Sequence, residues 1–169
     1  MIKWLITFWN NLMGQRKHGG YYQGEFEPKF PEKCLNIRRN GKKPFGRSSW
    51  EFRVFNWLDL NENVIEWGSE VVKIPYIFDI DQKLHNYFPD IIARIKDKDG
   101  IPHTYLLEIK PEKQTTPPKV PQRKTKKAMK NYDYARYHYI MNKNKWRSAR
   151  QYCEGKEWKF RLVTEKNLF

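Results

Sequence analysis

The sequence predicts a mixed α/β fold, a sheet flanked by helices and preceded by an extended arm. Three observations predict it. Ser48 and Glu51 form a capping-box pattern ahead of a helical stripe of Trp50, Val54, Trp57 and Leu58. Aromatic and β-branched segments then follow between turn signals. A second, longer helical stripe precedes one last alternating segment.

In chain order, Ile2, Leu5, Ile6, Trp9, Leu12 and Met13 recur at helical spacing, so residues 1–14 read as an amphipathic helix. It is too short to span a membrane and lacks a small-residue cleavage site. It either docks on the body of the domain or binds a partner. Residues 15–47 are rich in glycine, proline and charge and read as an extended basic arm over the surface. The body begins at Ser48 and runs to 169. After its first helix, Val64–Trp67 and Val71–Phe78 read as strands, Asp79–Lys83 as a turn, and Asn86–Lys96 and Thr104–Ile109 as two more strands. Pro111–Lys127 is a Pro-rich basic linker. Met129, Tyr132, Ala135, Tyr139, Trp146, Ala149 and Cys153 trace the core face of a long helix, and Trp158–Val163 is the last strand.

Two strands carry charge where hydrocarbon is expected. Tyr87-Phe88-Pro89-Asp90 and Leu106-Leu107-Glu108-Ile109-Lys110 place two carboxylates and an amine on apolar segments, and such charges are paired or bind a metal. Between them Asp97-Lys98-Asp99-Gly100 is a turn signal. A three-residue loop with Gly100 left-handed pairs Asp97 with Ile101. Continued, that register sets Asp90 opposite Glu108, with Cβ atoms about 4.5–5.5 Å apart. Lys110, two residues on, shares the face. A slip of one residue would split the carboxylates between faces. Facing carboxylates repel unless a cation relieves them, and hard oxygen ligands favour Mg2+ or Mn2+ over zinc. The alternative is a cross-strand salt bridge on a solvated face. Glu51 likewise has two readings, as a cap or as an acid beside Asp90 and Glu108.

Composition supplies the ligand class. Thirty-three basic against nineteen acidic residues give a net charge of +14, a field that favours polyanions. The basic residues cluster at Arg38, Arg39, Lys42, Lys43 and Arg47, and again at Lys119, Arg123, Lys124, Lys126, Lys127 and Lys130. All of these but Lys130 are the candidate DNA-binding residues; solubility or an anionic membrane surface is the alternative. Cys34 and Cys153 show neither metal spacing nor a disulfide framework, as expected of a reducing compartment. No apolar run is long enough to cross a membrane.

An acid on an early helix, then Pro-Asp, then Glu-x-Lys across a hairpin resembles the PD-(D/E)XK restriction-endonuclease-like superfamily. Flanking residues are similar to one branch, the head completion nucleases of T-even-type tailed phages. These are Tyr22-Gln23-Gly24, Phe26 with Pro28 and Pro31, Arg47-Ser48-Ser49-Trp50-Glu51, Trp67 with Ser69-Glu70, Ile74-Pro75-Tyr76, Tyr87-Phe88-Pro89-Asp90, Glu108-Ile109-Lys110-Pro111 and Lys145-Trp146. That branch resembles in turn the catalytic domain of the nuclease subunit of heteromeric transposases. The resemblance runs from about Tyr21 to Leu168. Cys34 departs from it, standing where tyrosine is expected.

The resemblance implies a restriction-endonuclease-like sheet and a metal-dependent deoxyribonuclease acting after DNA packaging and before tail attachment. It implies that Asp90, Glu108, the Ile109 carbonyl and Glu51 bind Mg2+, for which Mn2+ substitutes, and that Lys110 positions the attacking water. Glu70 and Gln114 are weaker candidates, for which a salt bridge and simple solvation are the alternatives. The implied partners are DNA and phage head, portal or neck proteins, in the host cytoplasm during assembly and in the virion. Two rivals stay open: a structural completion protein with a vestigial site, and a nuclease of repair, restriction or transposition.

Overall fold

A computed structural model describes residues 23–168. The expected helix over residues 1–14 and the start of the arm lie outside them. In chain order the elements are β1 (Gly24–Glu25), α1 (Leu35–Asn40), β2 (Phe45–Gly46), α2 (Ser49–Leu60), β3 (Val64–Ser69), β4 (Ile74–Ile77), β5 (Leu84–Tyr87), β6 (Ile91–Lys96), β7 (Pro102–Ile109), α3 (Lys126–Glu154), β8 (Lys159–Val163) and α4 (Glu165–Leu168). The main sheet has the order β3-β6-β7-β8. Its first three strands are antiparallel, and β8 joins β7 in parallel after the α3 crossover. This is the mixed α/β architecture that the sequence predicts.

Each face of the sheet buries one apolar layer. Val54, Phe55 and Leu58 of α2 pack on Val64, Trp67, Ile91, Ala93 and Ile109. On the other face Trp146, Ala149 and Cys153 of α3 meet Ile92, Leu106 and Phe160, together with Tyr76, Phe78 and Tyr87 of the β4–β5 hairpin. Burying each large apolar side chain contributes roughly 1.5–3 kcal/mol. Alternation along β7 sends Leu106 toward α3 and Ile109 toward α2. Glu108, two residues beyond Leu106, therefore faces α3 from within the apolar layer.

Four expectations need correction. Asn86–Lys96 is two strands rather than one. Pro89 has no N–H to give a ladder, so β5 pairs with β4 while β6 pairs with β3 and β7. The segment 71–78 does not enter the main sheet. Glu70 takes a left-handed φ of 54°, which diverts the chain into a separate hairpin. The arm is only partly extended, because α1 interrupts it and Cys34 and Leu35 are buried. Gly68 allows the close approach of α1: a Cβ there would stand 2.9 Å from both Leu35 Cβ and Val71 Cγ2. Finally, α3 begins inside the expected linker, at Lys126, where the Thr125 hydroxyl accepts the Ala128 N–H. Only the C-terminal half of α3 is core. Ala135 is exposed, while Met129 and Tyr132 are half-buried.

Asp59 holds the arm against α2. Its buried carboxylate accepts the N–H groups of Lys29 (2.7 Å) and Phe30 (3.3 Å), and Lys33 Nζ donates to the carbonyls of Asp59 and Asn61. Replacing Asp59 with Ala leaves two amides without their acceptor. We expect a loss of about 1–3 kcal/mol, read as a lower midpoint in urea; an unchanged midpoint contradicts this anchoring.

Candidate active site

The β6–β7 turn sets the site. Gly100 is left-handed (φ 79°), and Asp97 and Gly100 close the loop by Asp97 N–H to Ile101 O and Gly100 N–H to Asp97 O. Asp97 Oδ1 accepts the N–H groups of Asp99 and Ile101, each at 2.9 Å. These backbone bonds are the main reason its carboxyl lies below the ordinary range, with His103 adding to them. Ladder partners then run from Lys96↔Pro102 to Ile91↔Leu107, and one step further Asp90 faces Glu108. This is the register expected from the turn. Asp90 Oδ2 accepts the Ile109 N–H at 2.7 Å, extending the pairing by a side chain.

Three expected residues converge. Glu108 is 3% exposed. Its Oε1 receives Lys110 Nζ at 2.8 Å, and its Oε2 receives the Tyr87 hydroxyl. Burial pushes the Asp90 carboxyl up to about 7, the Glu108 charge pushes it the same way, and Lys110 and the Ile109 N–H hold it down. Burial acts to lower Lys110, but the charges of Glu108 and Asp90 outweigh it and leave its ammonium above the ordinary value. Tyr87 is pushed far upward by burial and then by Glu108, so its phenol stays a proton donor.

The other expected residues are placed differently. Ser48 caps α2, and Glu51 completes the capping box, its carboxylate accepting the Ser48 hydroxyl (2.8 Å) and the Arg47 N–H (3.0 Å). Its charge reaches both Asp90 and Lys110. Among the described residues, however, no three acid, histidine or cysteine side chains stand close enough to hold a metal together. Asp90 and Glu108 face each other across the hairpin, while Glu51 bonds at the cap of α2. Glu70 lies in the same row, its N–H bonded to the Asp90 carbonyl, yet its left-handed backbone turns the carboxylate out to Arg47 in a two-point pair. Gln114 is exposed at the end of a short 3-10 turn, Glu112–Gln114, just past Lys110. Of the expected DNA-binding residues, Arg38, Lys43 and Arg47 pair with Glu66, Glu27 and Glu70. Arg39, Lys42, Lys119, Arg123, Lys124, Lys126 and Lys127 are exposed.

One residue at the site escaped the reading of individual motifs. Lys145, on α3, stands 5.7 Å from the Tyr87 ring centre and 6.0 Å from that of Tyr76, within reach of the charges of Glu108, Lys110 and Asp90. Its only signal in the sequence is the Lys145-Trp146 pair within the family resemblance.

The donor chemistry fits a hard divalent cation: two facing carboxylates, one nearly buried, in an otherwise apolar layer. Asp90 Oδ1 has no hydrogen-bond partner among the described residues. Two carboxylates match magnesium's usual protein share.

Residues 61–165 match the family described as TnsA-like endonuclease N terminal. That span holds Asp90, Glu108, Lys110 and Lys145 and leaves Glu51 outside. The chain is also similar to the head completion nuclease of Enterobacteria phage T4, at 39% identity over 147 residues, covering 87% of this chain and 93% of that relative. The chain belongs to the TnsA-like endonuclease N-terminal family, with the phage T4 head completion nuclease among its relatives.

Proposed function

We propose that the chain is a magnesium-dependent deoxyribonuclease that hydrolyses phosphodiester bonds during phage head completion, after packaging and before head-tail joining. The observation that carries this is the register-fixed meeting of Asp90, Glu108 and Lys110 on one sheet face, in a chain of an endonuclease family. The relative's role in head completion supports the biological setting. Phage head, portal or neck proteins are the proposed partners, in the host cytoplasm and the virion. Among the described residues no helix is long and apolar enough to cross a membrane.

Asp90 and Glu108, with the Ile109 carbonyl, would hold Mg2+, and Mn2+ would substitute. When bound, the cation withdraws charge from the phosphate and lowers the pKa of a coordinated water. The chain's own groups do the rest. Tyr87 orients Glu108 through its hydroxyl. Lys110, cationic and held at the lip of the acid pair, orients the attacking water and stabilises charge growing on the phosphate in line with the leaving oxygen. Glu51, whose charge reaches Asp90 and Lys110, would complete the acid set. Exposed Arg39, Lys42, Lys119, Arg123, Lys124, Lys126 and Lys127 hold the DNA backbone without choosing a sequence.

Supercoiled plasmid with Mg2+ tests the chemistry. The wild type should nick or linearise it, a chelator should stop it, and Asp90→Ala and Lys110→Ala should each slow it by about 10²–10³-fold. Equal cleavage by all three would overturn the reading. Phage carrying Asp90→Ala should accumulate filled heads without tails; normal tailed virions would instead favour a role outside assembly. If about six phosphates are neutralised, DNA affinity should fall with salt at a log–log slope of about −5, and a slope near zero would contradict backbone binding.

The raised Asp90 carboxyl gives a further expectation. Without metal the folded chain keeps that proton up to about pH 7, whereas an unfolded chain releases it at about pH 4. The native state thus binds more protons in this window, and stability falls as pH rises through it. Asp90→Asn removes the loss, with Asn still able to accept the Ile109 N–H. Its Tm should exceed that of wild type at pH 8 in chelator, and the gap should shrink toward pH 4 or on adding Mg2+. A gap that stays constant across pH would refute the buried acid pair.

A further inference from the structure

Among the described residues Lys145 is a half-buried cation without an ion pair. Its backbone is fixed, since Asn144 and Trp146 on either side are buried. Asn144 is further tied to Asp79, both through the Asp79 N–H (2.9 Å) and through its own side-chain amide (2.7 Å). Among the described residues Lys145 has no ion pair and no hydrogen bond; its contacts are the rings of Tyr76 and Tyr87. Those rings screen one side of an ammonium that carries three donors. Its nearest anionic neighbours are already taken. Both oxygens of Glu108 are bonded, to Lys110 and Tyr87, and Asp90 is bonded to the Ile109 N–H.

The neighbouring basic residues differ. Arg147, two positions on, pairs with Asp79, and Lys143 is exposed to water. A lysine could reach solvent from a neighbouring face of this helix, so partial burial here costs solvation without a partner to offset it. Burial accordingly holds its ammonium below the ordinary value, although Glu108 and Asp90 act to raise it. Retaining such a group makes physical sense if an anion arrives with the substrate.

We propose that Lys145 is a second phosphate-binding residue of the site, its ammonium contacting a non-bridging oxygen of the scissile phosphodiester from the α3 side while Lys110 approaches from the sheet. Tyr87 links the two halves, holding Glu108 by its hydroxyl and Lys145 by its ring face. This assignment rests on the nuclease reading above and adds a residue to it.

The experiment compares wild type, Lys145→Met, Lys145→Arg and the control Lys143→Met. Single-turnover cleavage of end-labelled duplex in Mg2+ is measured beside binding of the same duplex in chelator. Lys145→Met should slow cleavage by about 10²-fold while DNA affinity changes less than about threefold, since most backbone contacts remain. Lys145→Arg should recover part of the rate, and Lys143→Met should match wild type. The Tm of Lys145→Met should equal or exceed that of wild type, because a half-buried unpaired charge has been removed. Cleavage by Lys145→Met within threefold of wild type overturns the assignment alone, as does a lost rate accompanied by a lower Tm. A wild type that leaves DNA uncut overturns the nuclease reading and this assignment together.

Discussion

The register of the β6–β7 hairpin is the constraint on which the rest of the structure depends. Asp97 receives two backbone amides and Gly100 turns the chain, so every later pair is counted from that loop. Seven residues up β6 from Asp97 and seven up β7 from Ile101, the count delivers Asp90 opposite Glu108. A slip by one residue would move Glu108 from the α3 side to the α2 side and send Leu107 into its place. The apolar layers forbid it, because Leu106 and Ile92 are needed in one layer and Ile109 and Ile91 in the other. Core packing and site geometry are therefore one constraint, and mutations that loosen the hairpin disturb both.

That constraint buries acids where the fold would prefer hydrocarbon, and the surrounding groups limit the cost. Tyr87 and Lys110 satisfy both oxygens of Glu108, and Asp90 stays neutral up to about pH 7. Local strain follows the same boundary. The break at Pro89 and the left-handed backbone of Glu70 lie side by side, where β3, β6 and β7 end in one row. Regular pairing stops there, at the end of the sheet that carries the acid pair. Functional sites commonly carry such local departures from otherwise consistent structure.

Legibility in the sequence divided along the range of the interactions. The capping box at Ser48 and Glu51, the Gly100 turn and the Asp90–Glu108 register are governed by residues close in sequence or by period-two alternation, and all three could be read directly. The break at Phe88-Pro89-Asp90 was hidden because β-branched and aromatic residues continue on both sides of it. Helix α1 was hidden because six residues between Pro31 and Gly41 look like loop, and its docking depends on Gly68 and Ser69, far along the chain. Tertiary contact also decides where α3 is core: the stripe of apolar residues continues to Met129, but the body against which it packs ends sooner. Lys145 lies in a run of charged residues whose partners are set by the fold, so spacing alone could not single it out from Lys143 or Arg147.

The distribution of charge carries the same logic to the surface. A chain of net charge +14 draws polyanions toward it from any direction, yet its centre is acidic. Cations stand around that centre at graded commitment. Arg47 is paired with Glu70 at the rim, Lys110 is shared with Glu108, and Lys145, within reach of the Glu108 and Asp90 charges, has no ion pair among the described residues. On the proposed nuclease reading, long-range attraction would bring the DNA backbone in, and the repulsion between its phosphate and the acid pair would be lifted where those cations and a bound divalent ion converge. On that reading, placement of the scissile bond would follow from where the cations are free to act, since the acids repel a phosphate from positions that lack them.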